Sequence, residues 1–502
     1  MNVVIRVDAS LRIGTGHFTR CLTLANALKR GGAKVLFICR HVTDFMRDQI
    51  RDTGHDLVVL PPREDAADGD LAHSAWLAVP QVDDATDTLA ALRQYGPIDW
   101  LVVDHYGLDA RWEKALRPAA ARLLALDDIA DRPHDADLLL DQNLQDTDQD
   151  RYAGLLPATC RRLIGPRFAL LRPEFQALAA AQPKRRDRVN IFFGGVDPDG
   201  MTVRATKALD CATLRAVPAD IVIGIDNPHR ACIAALVEKL PGATLHIQPA
   251  NLGVLMNRAR LALGGGGATS WERCCLAVPT AIVSIAENQK SGCRALARAR
   301  AAIYLGDIAQ LTADCIARAV QDLLGKPRLL VAMSRRAGAL VDGRGTDRVA
   351  LCLMRDRIAF RPAEARDAEA KWRWRNDERT RRYFNDPGPV ALSRHLAWWQ
   401  DNITSGRRAL LIAHSGHIDV GVLRFDFDQH SAMVSIYLDP DMTGLGLGPA
   451  ILRAGMAFLH AQHPDVWDAL AEIDESNAAS ATSFARAGFR KHTDRLWKRT
   501  LP

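Results

Sequence analysis

At 502 residues the chain has room for roughly three domains of about 150 residues each. A content of 48% hydrophobic and 25% charged residues excludes wholesale disorder. A net charge of +6, spread over interspersed basic and acidic residues without an aromatic-laced basic stripe, speaks against a nucleic-acid partner.

No apolar run reaches the ~18–20 residues that a membrane helix requires, so no membrane insertion is expected. The opening MNVVIRVDAS puts an acid where a secretory leader needs an unbroken apolar stretch. Its first apolar run instead predicts a strand over 3–7, and further strands follow over 34–39, 57–60, 100–104, 123–127 and 138–140. Helices are expected over 20–30 and 44–53. Continuous rather than alternating apolar strands indicate a parallel sheet covered on both faces. After a polar stretch over 179–188, with the basic cluster Lys184-Arg185-Arg186, the pattern restarts with strands over 189–193, 221–224, 261–263 and 280–284. Two such units suggest paired Rossmann-like domains facing each other across a cleft. The glycine-bearing stretch 335–348 is the expected junction. Beyond 358, strands over 409–414, 420–427 and 432–438 follow one another without helices, and a helix over 451–459 comes next. That order predicts an α+β domain built on an antiparallel meander. The ten cysteines show no metal-type pairing, so neither a disulfide framework nor a metal centre is expected, and the location expected is cytoplasmic.

Four stretches carry chemistry. The first runs from Arg6-Val7-Asp8 through Ile13-Gly14-Thr15-Gly16-His17 to Arg20, as strand, glycine loop and helix start. Its glycines admit close backbone approach and the helix start offers unpaired N–H groups. His17 brings an imidazole, the side chain suited to general-base work near neutral pH; a tight turn with an incidental histidine is the competing reading. The second is Gly264-Gly265-Gly266-Gly267-Ala268-Thr269-Ser270-Trp271-Glu272, a backbone cradle suited to phosphate oxygens, with Glu272 placed to accept from ribose hydroxyls. A packing turn capped by Thr269 is its alternative. Third, Asn288 and Gln289 follow the strand over 280–284, at the sheet end where open α/β folds bind ligands. Fourth, Thr443-Gly444-Leu445-Gly446-Leu447-Gly448 opens a helix and suits a pyrophosphate. The meander before it argues against a dinucleotide fingerprint.

In these motifs, residues 1 to about 350 resemble the nucleotide-sugar hydrolases of pseudaminic acid biosynthesis, which release UDP from UDP-2,4-diacetamido-2,4,6-trideoxy-β-L-altropyranose. The resemblance rests on Arg6-x-Asp8, Ile13-Gly14-Thr15-Gly16-His17, Arg20-Cys21-Leu22, residues 99–106, Asp127-Asp128 and Asp141-Gln142-Asn143. Residues 165–172 and 194–198, Gly266-Gly267-Ala268-Thr269-x-x-Glu272 and Asn288-Gln289 complete it. It implies two Rossmann-like domains in the GT-B arrangement and a catalytic His17. It further implies a sugar site of Asp8, Gly14, Thr15, Gly16, Arg20, Asp104 and Tyr106, and a UDP site of Gly266, Gly267, Ala268, Thr269, Glu272, Asn288 and Gln289. Residues 358–502 resemble GNAT-type N-acetyltransferases through Trp372-x-x-Arg375-Asn376-Asp377, the glycine loop, Asn477 and Gly488-Phe489. This second resemblance implies acetyl-CoA as co-substrate, held by Ile436, Leu438, Thr443, Gly444, Gly446, Gly448 and Asn477. Two positions depart from that family: Thr443 replaces its usual Arg or Gln, and Phe484 its common Tyr acid.

Both resemblances together imply a bifunctional chain, divided at 1–165, 166–350 and 356–502. One reaction removes UDP by an inverting attack of water at C1, with His17 as base and no metal. The other acetylates the 4-amine of the UDP-sugar precursor, with Glu472 or His414 open as its base. A UDP-linked amino sugar is the expected partner, and the oligomeric state stays open. The alternative is a GT-B glycosyltransferase with a non-catalytic or differently specific GNAT domain.

Overall fold

The computed structural model describes residues 1–10, 12–63, 69–147, 149–181, 186–384 and 386–501. Leu11 of the first motif and Lys184-Arg185 of the basic cluster lie outside the described residues. The first sheet contains β1 (Asn2–Val7), β2 (Lys34–Cys39), β3 (Asp56–Val59), β4 (Trp100–Asp104), β5 (Leu123–Leu126), β6 (Leu138–Asp141) and β7 (Arg161–Ile164). They are ordered β3-β2-β1-β4-β5-β6-β7, and every neighbouring pair is parallel. The central β1 and β4 are buried almost throughout, which explains their unbroken apolar sequences.

The second sheet contains β8 (Arg188–Phe192), β9 (Ala219–Ile223), β10 (Ala243–Ile247), β11 (Ala259–Gly265), β12 (Thr280–Ser284) and β13 (Ala302–Asp307). Its order is β10-β9-β8-β11-β12-β13, again all parallel. The chain therefore carries two Rossmann-like lobes. They share one compact unit, Met1–Lys29 with Ala33–Thr346. Across the lobes, Asp146 beyond β6 pairs with Arg294 at 3.0 Å and Arg298 at 2.6 Å on the helix Lys290–Arg298.

The other unit comprises Arg30–Gly32 and Asp347–Pro502. Its sheet contains β14 (Ala359–Pro362), β15 (Arg408–Ser415), β16 (Ile418–Asp428), β17 (Ser431–Leu438), β18 (Asp468–Glu472), β19 (Arg490–Lys491) and β20 (Leu496–Thr500). The order is β14-β15-β16-β17-β18-β20-β19, antiparallel except at β17–β18. The expected meander is present as β15, β16 and β17.

The boundary between the two compact units falls within the stretch 335–348, after Thr346. Helices Pro327–Leu340 and Gly345–Leu353 take up most of it. Two of its glycines serve close packing: a Cβ on Gly338 would lie 3.1 Å from that of Ala277, and one on Gly345 would lie 2.3 Å from the Ala169 carbonyl oxygen.

Candidate active sites

β1 ends at Val7, and the following loop turns through Gly14 at φ +78° before the helix Gly16–Arg30 begins. Among the described residues neither Gly14 nor Gly16 has a heavy atom within 4 Å of where a Cβ would stand, and Thr15 and Gly16 are exposed. The helix carries no acid in its first turn. His17, near its start, meets Asp104 at the end of β4, with Nδ1 2.6 Å from Oδ1. These two strands are neighbours, so residues 87 positions apart converge at the carboxyl edge of the sheet. Arg20 grips the same carboxylate with Nε and Nη2, both at 2.6 Å, and reaches Asp128 with Nη1 at 2.9 Å. Burial alone would raise the Asp104 pKa, but Arg20 and His17 outweigh it and hold the carboxyl well below its ordinary range. An ionised acceptor at this distance places a proton on Nδ1, which leaves Nε2 as the basic nitrogen of the ring.

Aromatic rings flank His17. Tyr106 stands edge-on at 4.6 Å between centroids and Trp76 at 5.9 Å, and the two stack on each other at 5.4 Å. His73 touches both rings. The Tyr106 hydroxyl donates to Asp128. Trp76 and His73 come from a stretch without helix or strand periodicity, and only the fold brings them here.

The expected sugar-site residues therefore divide. Gly14, Thr15, Gly16 and Tyr106 gather around His17. Asp104 and Arg20 are turned inward and hold His17 in place. Asp8 lies beneath the site, fully buried, and its Oδ1 accepts from Arg6 at 2.7 Å and from the backbone amides of Arg40 at 2.7 Å and His41 at 3.1 Å. The side chain is sealed from solvent and braces the loop through that oxygen, while Oδ2 lies 3.4 Å from His105 Nε2.

In the second lobe, Gly264 and Gly265 belong to β11, and the helix Thr269–Cys275 follows Gly266–Ala268. The Gly266 amide donates to Val283 O at 3.0 Å and to Gln289 Oε1 at 3.1 Å, and Gln289 Oε1 also accepts from Ile285 N at 3.2 Å. Gln289 thus ties the glycine loop to the turn after β12, and the Gly266 amide is spent within the chain. The amides of Gly267 and Ala268 find no acceptor among the described residues. Thr269 does not cap its helix. Glu272 Oε2 is buried without a partner, and the nearest cation, Arg172, stands 3.9 Å from Oε1. Burial pushes the Glu272 pKa up to about 7 against the pull of Arg172 and Arg273. Asn288 is exposed on the turn Glu287–Gln289. The Gly194–Pro198 stretch of the sequence motif serves the fold: Asp197 accepts from Met201 N at 3.0 Å and Thr202 N at 2.7 Å, capping the next helix.

In the C-terminal unit, β17 pairs with β16 along its length but with β18 only through Ser431–Met433. Backbone groups from Val434 to Leu438, including Ile436, therefore lack a strand partner on that edge among the described residues. Beyond them Gly444 and Gly446 adopt φ of +78° and +74°, and Gly446 precedes the helix Leu447–Gln462. Gly448 serves packing, since a Cβ there would lie 2.9 Å from Ser483 Oγ. Asn477 caps the helix Ala478–Arg486 by accepting from Ser480 N at 3.0 Å. Thr443 Oγ1 donates to Pro440 O at 2.9 Å. Phe484 is core, edge-on to Phe489 at 4.9 Å. His414 lies 3.0 Å from Gly416 O through Nδ1, and Glu472 is exposed at the end of β18.

Among the described residues no helix is long and apolar enough to cross a membrane, and no group of His, Cys, Asp and Glu is arranged to hold a metal.

Comparison with known proteins matches residues 357–490 to the acetyltransferase (GNAT) domain family. The spore coat polysaccharide biosynthesis protein SpsG of Bacillus subtilis is 28% identical over 193 residues, 38% of this chain and 57% of that protein. The UDP-2,4-diacetamido-2,4,6-trideoxy-β-L-altropyranose hydrolase of Campylobacter jejuni is 24% identical over 299 residues, 59% of this chain and 97% of the relative. Among solved structures, MurG of Acinetobacter baumannii is 17% identical, covering 70% of this chain and 98% of its own at a TM-score of 0.49. The chain thus joins an N-terminal part homologous to the Campylobacter hydrolase and to SpsG with a C-terminal GNAT acetyltransferase domain.

Proposed function

We propose that the lobe pair hydrolyses a UDP-linked 2,4-diacetamido-2,4,6-trideoxy sugar and that the GNAT domain acetylates the 4-amine of its UDP-linked precursor. The observation that carries the first reaction is the His17–Asp104 pair, which leaves Nε2 basic beside the exposed Thr15-Gly16 loop. Water attacks C1 and gives its proton to Nε2 while the bond from C1 to the phosphate oxygen breaks and UDP departs as an anion, with inversion. A diphosphate leaving group needs positive potential and donors more than a proton. The Gly267 and Ala268 amides and the Thr269 hydroxyl offer those donors, and the Glu272 carboxylate, whose Oε2 has no hydrogen-bond partner, suits ribose hydroxyls. Asp104, Arg20 and Asp8 position this machinery.

For the second reaction, the unpaired edge of β17 from Val434 to Leu438 fits the amide-bearing arm of acetyl-CoA, and the turn through Gly444 and Gly446 fits its pyrophosphate. The amine attacks the acetyl carbonyl carbon, the C–S bond breaks, and the thiolate takes up a proton.

Incubation with the UDP-linked diacetamido sugar in oxygen-18 water, with no acceptor present, tests the first assignment. UDP and a sugar labelled at C1 are expected; UDP release only on adding an acceptor would mean a glycosyltransferase on the same fold. In a parallel incubation with UDP-4-amino-4,6-dideoxy-N-acetyl-altrosamine and acetyl-CoA, the expected product is heavier by one acetyl group.

A further inference from the structure

Arg273 lies beneath the glycine loop, only 1% exposed. Its Nη2 donates to Gly265 O at 2.6 Å and Ser270 Oγ at 3.2 Å, its Nη1 donates to Thr269 Oγ1 at 3.1 Å, and its Nε meets no acceptor. Every partner is neutral, and among the described residues no carboxylate forms an ion pair with it. The loop is shaped around this cation, since a Cβ on Gly264 would stand 2.3 Å from Nη1. A guanidinium withdrawn from water without a counter-ion is strongly unfavourable, and burial pulls its pKa down. The neighbouring Glu272 pulls the other way without forming an ion pair with it among the described residues, so the charge is offset only in part within this chain.

Thr269 supplies the link to a ligand. Its Oγ1 accepts from Arg273, so the hydroxyl's own proton is left to donate away from the guanidinium. The Gly267 and Ala268 amides beside it are also without acceptors among the described residues.

We propose that Arg273 is a positioning residue through which the glycine loop reads charge: it fixes the Thr269 hydroxyl as an outward donor, and the diphosphate of a bound nucleotide balances its own charge. The inference rests on the UDP-binding assignment of this loop. Substrate does not touch Arg273, which is sealed beneath the loop. Its effect is confined to ligands that carry phosphate, so recognition of uridine and recognition of charge are separable.

Binding of UDP and of uridine to the full chain, followed by calorimetry and ligand-observed NMR, tests this. Thr269→Val and Arg273→Met should each weaken UDP binding by about tenfold to a hundredfold, the loss of a charge-assisted hydrogen bond. Uridine binding should stay within about twofold, and the double variant should lose little more than Arg273→Met alone, because the two side chains act as one unit. Equal losses for UDP and uridine would reduce Arg273 to a brace of the loop and overturn the proposal, as would unchanged UDP binding in Thr269→Val. If thermal melting shows that Arg273→Met does not fold, Thr269→Val decides alone: selective loss of UDP supports the proposal and no loss overturns it. Wild-type protein that binds neither ligand would sink the nucleotide assignment itself, and this inference with it.

Discussion

His17 draws its chemical character from a partner that the primary structure does not place beside it. A buried, ionised Asp104 held by both ends of the Arg20 fork fixes the imidazole tautomer. His17→Asn removes the base and leaves the second lobe untouched. We expect UDP release to fall about 10²–10⁴-fold, the usual contribution of a general base, while UDP binding by calorimetry stays unchanged; normal turnover would dismiss the assignment. His17 is legible as a titratable residue after a two-glycine loop. Asp104 is legible only as the end of an apolar strand, since its role appears when β1 and β4 pair. Trp76 and His73 are not legible, because nothing local distinguishes a ring on a 3₁₀ turn from any other loop aromatic. Arg273 was hidden in a helix where an arginine ordinarily faces solvent.

At the level of elements, the connection after β5 is clamped by a buried ion triad. His134 Nδ1 meets Glu113 at 2.7 Å on the helix Ala110–Leu116, and Nε2 lies 3.7 Å from Asp127. Burial would lower the His134 pKa, but the two carboxylates overcome it and raise the value to about 9. A histidine whose folded pKa exceeds its unfolded value of about 6.5 stabilises fully below that value and loses the contribution as pH rises through the folded pKa. We therefore expect the melting temperature of His134→Gln to lie well below wild type at pH 6 and to converge with it by pH 10, by differential scanning calorimetry; parallel curves would refute the clamp. Strands with unbroken apolar runs were legible from sequence. β7, β10 and β13, all at sheet edges, were not; in β7 the sequence Arg161-Arg162-Leu163-Ile164 mixes charged and apolar residues. The glycines of the fourth motif show the same limit: Gly444 and Gly446 are required by positive φ and Gly448 by a neighbouring helix, a distinction that spacing does not carry.

At the level of the molecule, the two proposed reactions are assigned to separate compact units, the first built on two parallel sheets and the second on one mixed sheet. Gly446→Val puts a β-branched residue at φ +74°, a strained conformation. We expect it to abolish acetyl transfer in the full chain while UDP release stays at wild-type rate, measured on one preparation; loss of both would show that the activities are coupled. The bare margin of β17 has a further consequence. Proteins commonly guard such a selvedge with lysine, proline or a bulge, because it invites another chain to stitch onto it. Val434-Ser435-Ile436-Tyr437-Leu438 carries none of these guards, so on the proposed reading a bound co-substrate would also be the hem that keeps this margin from catching on a neighbour.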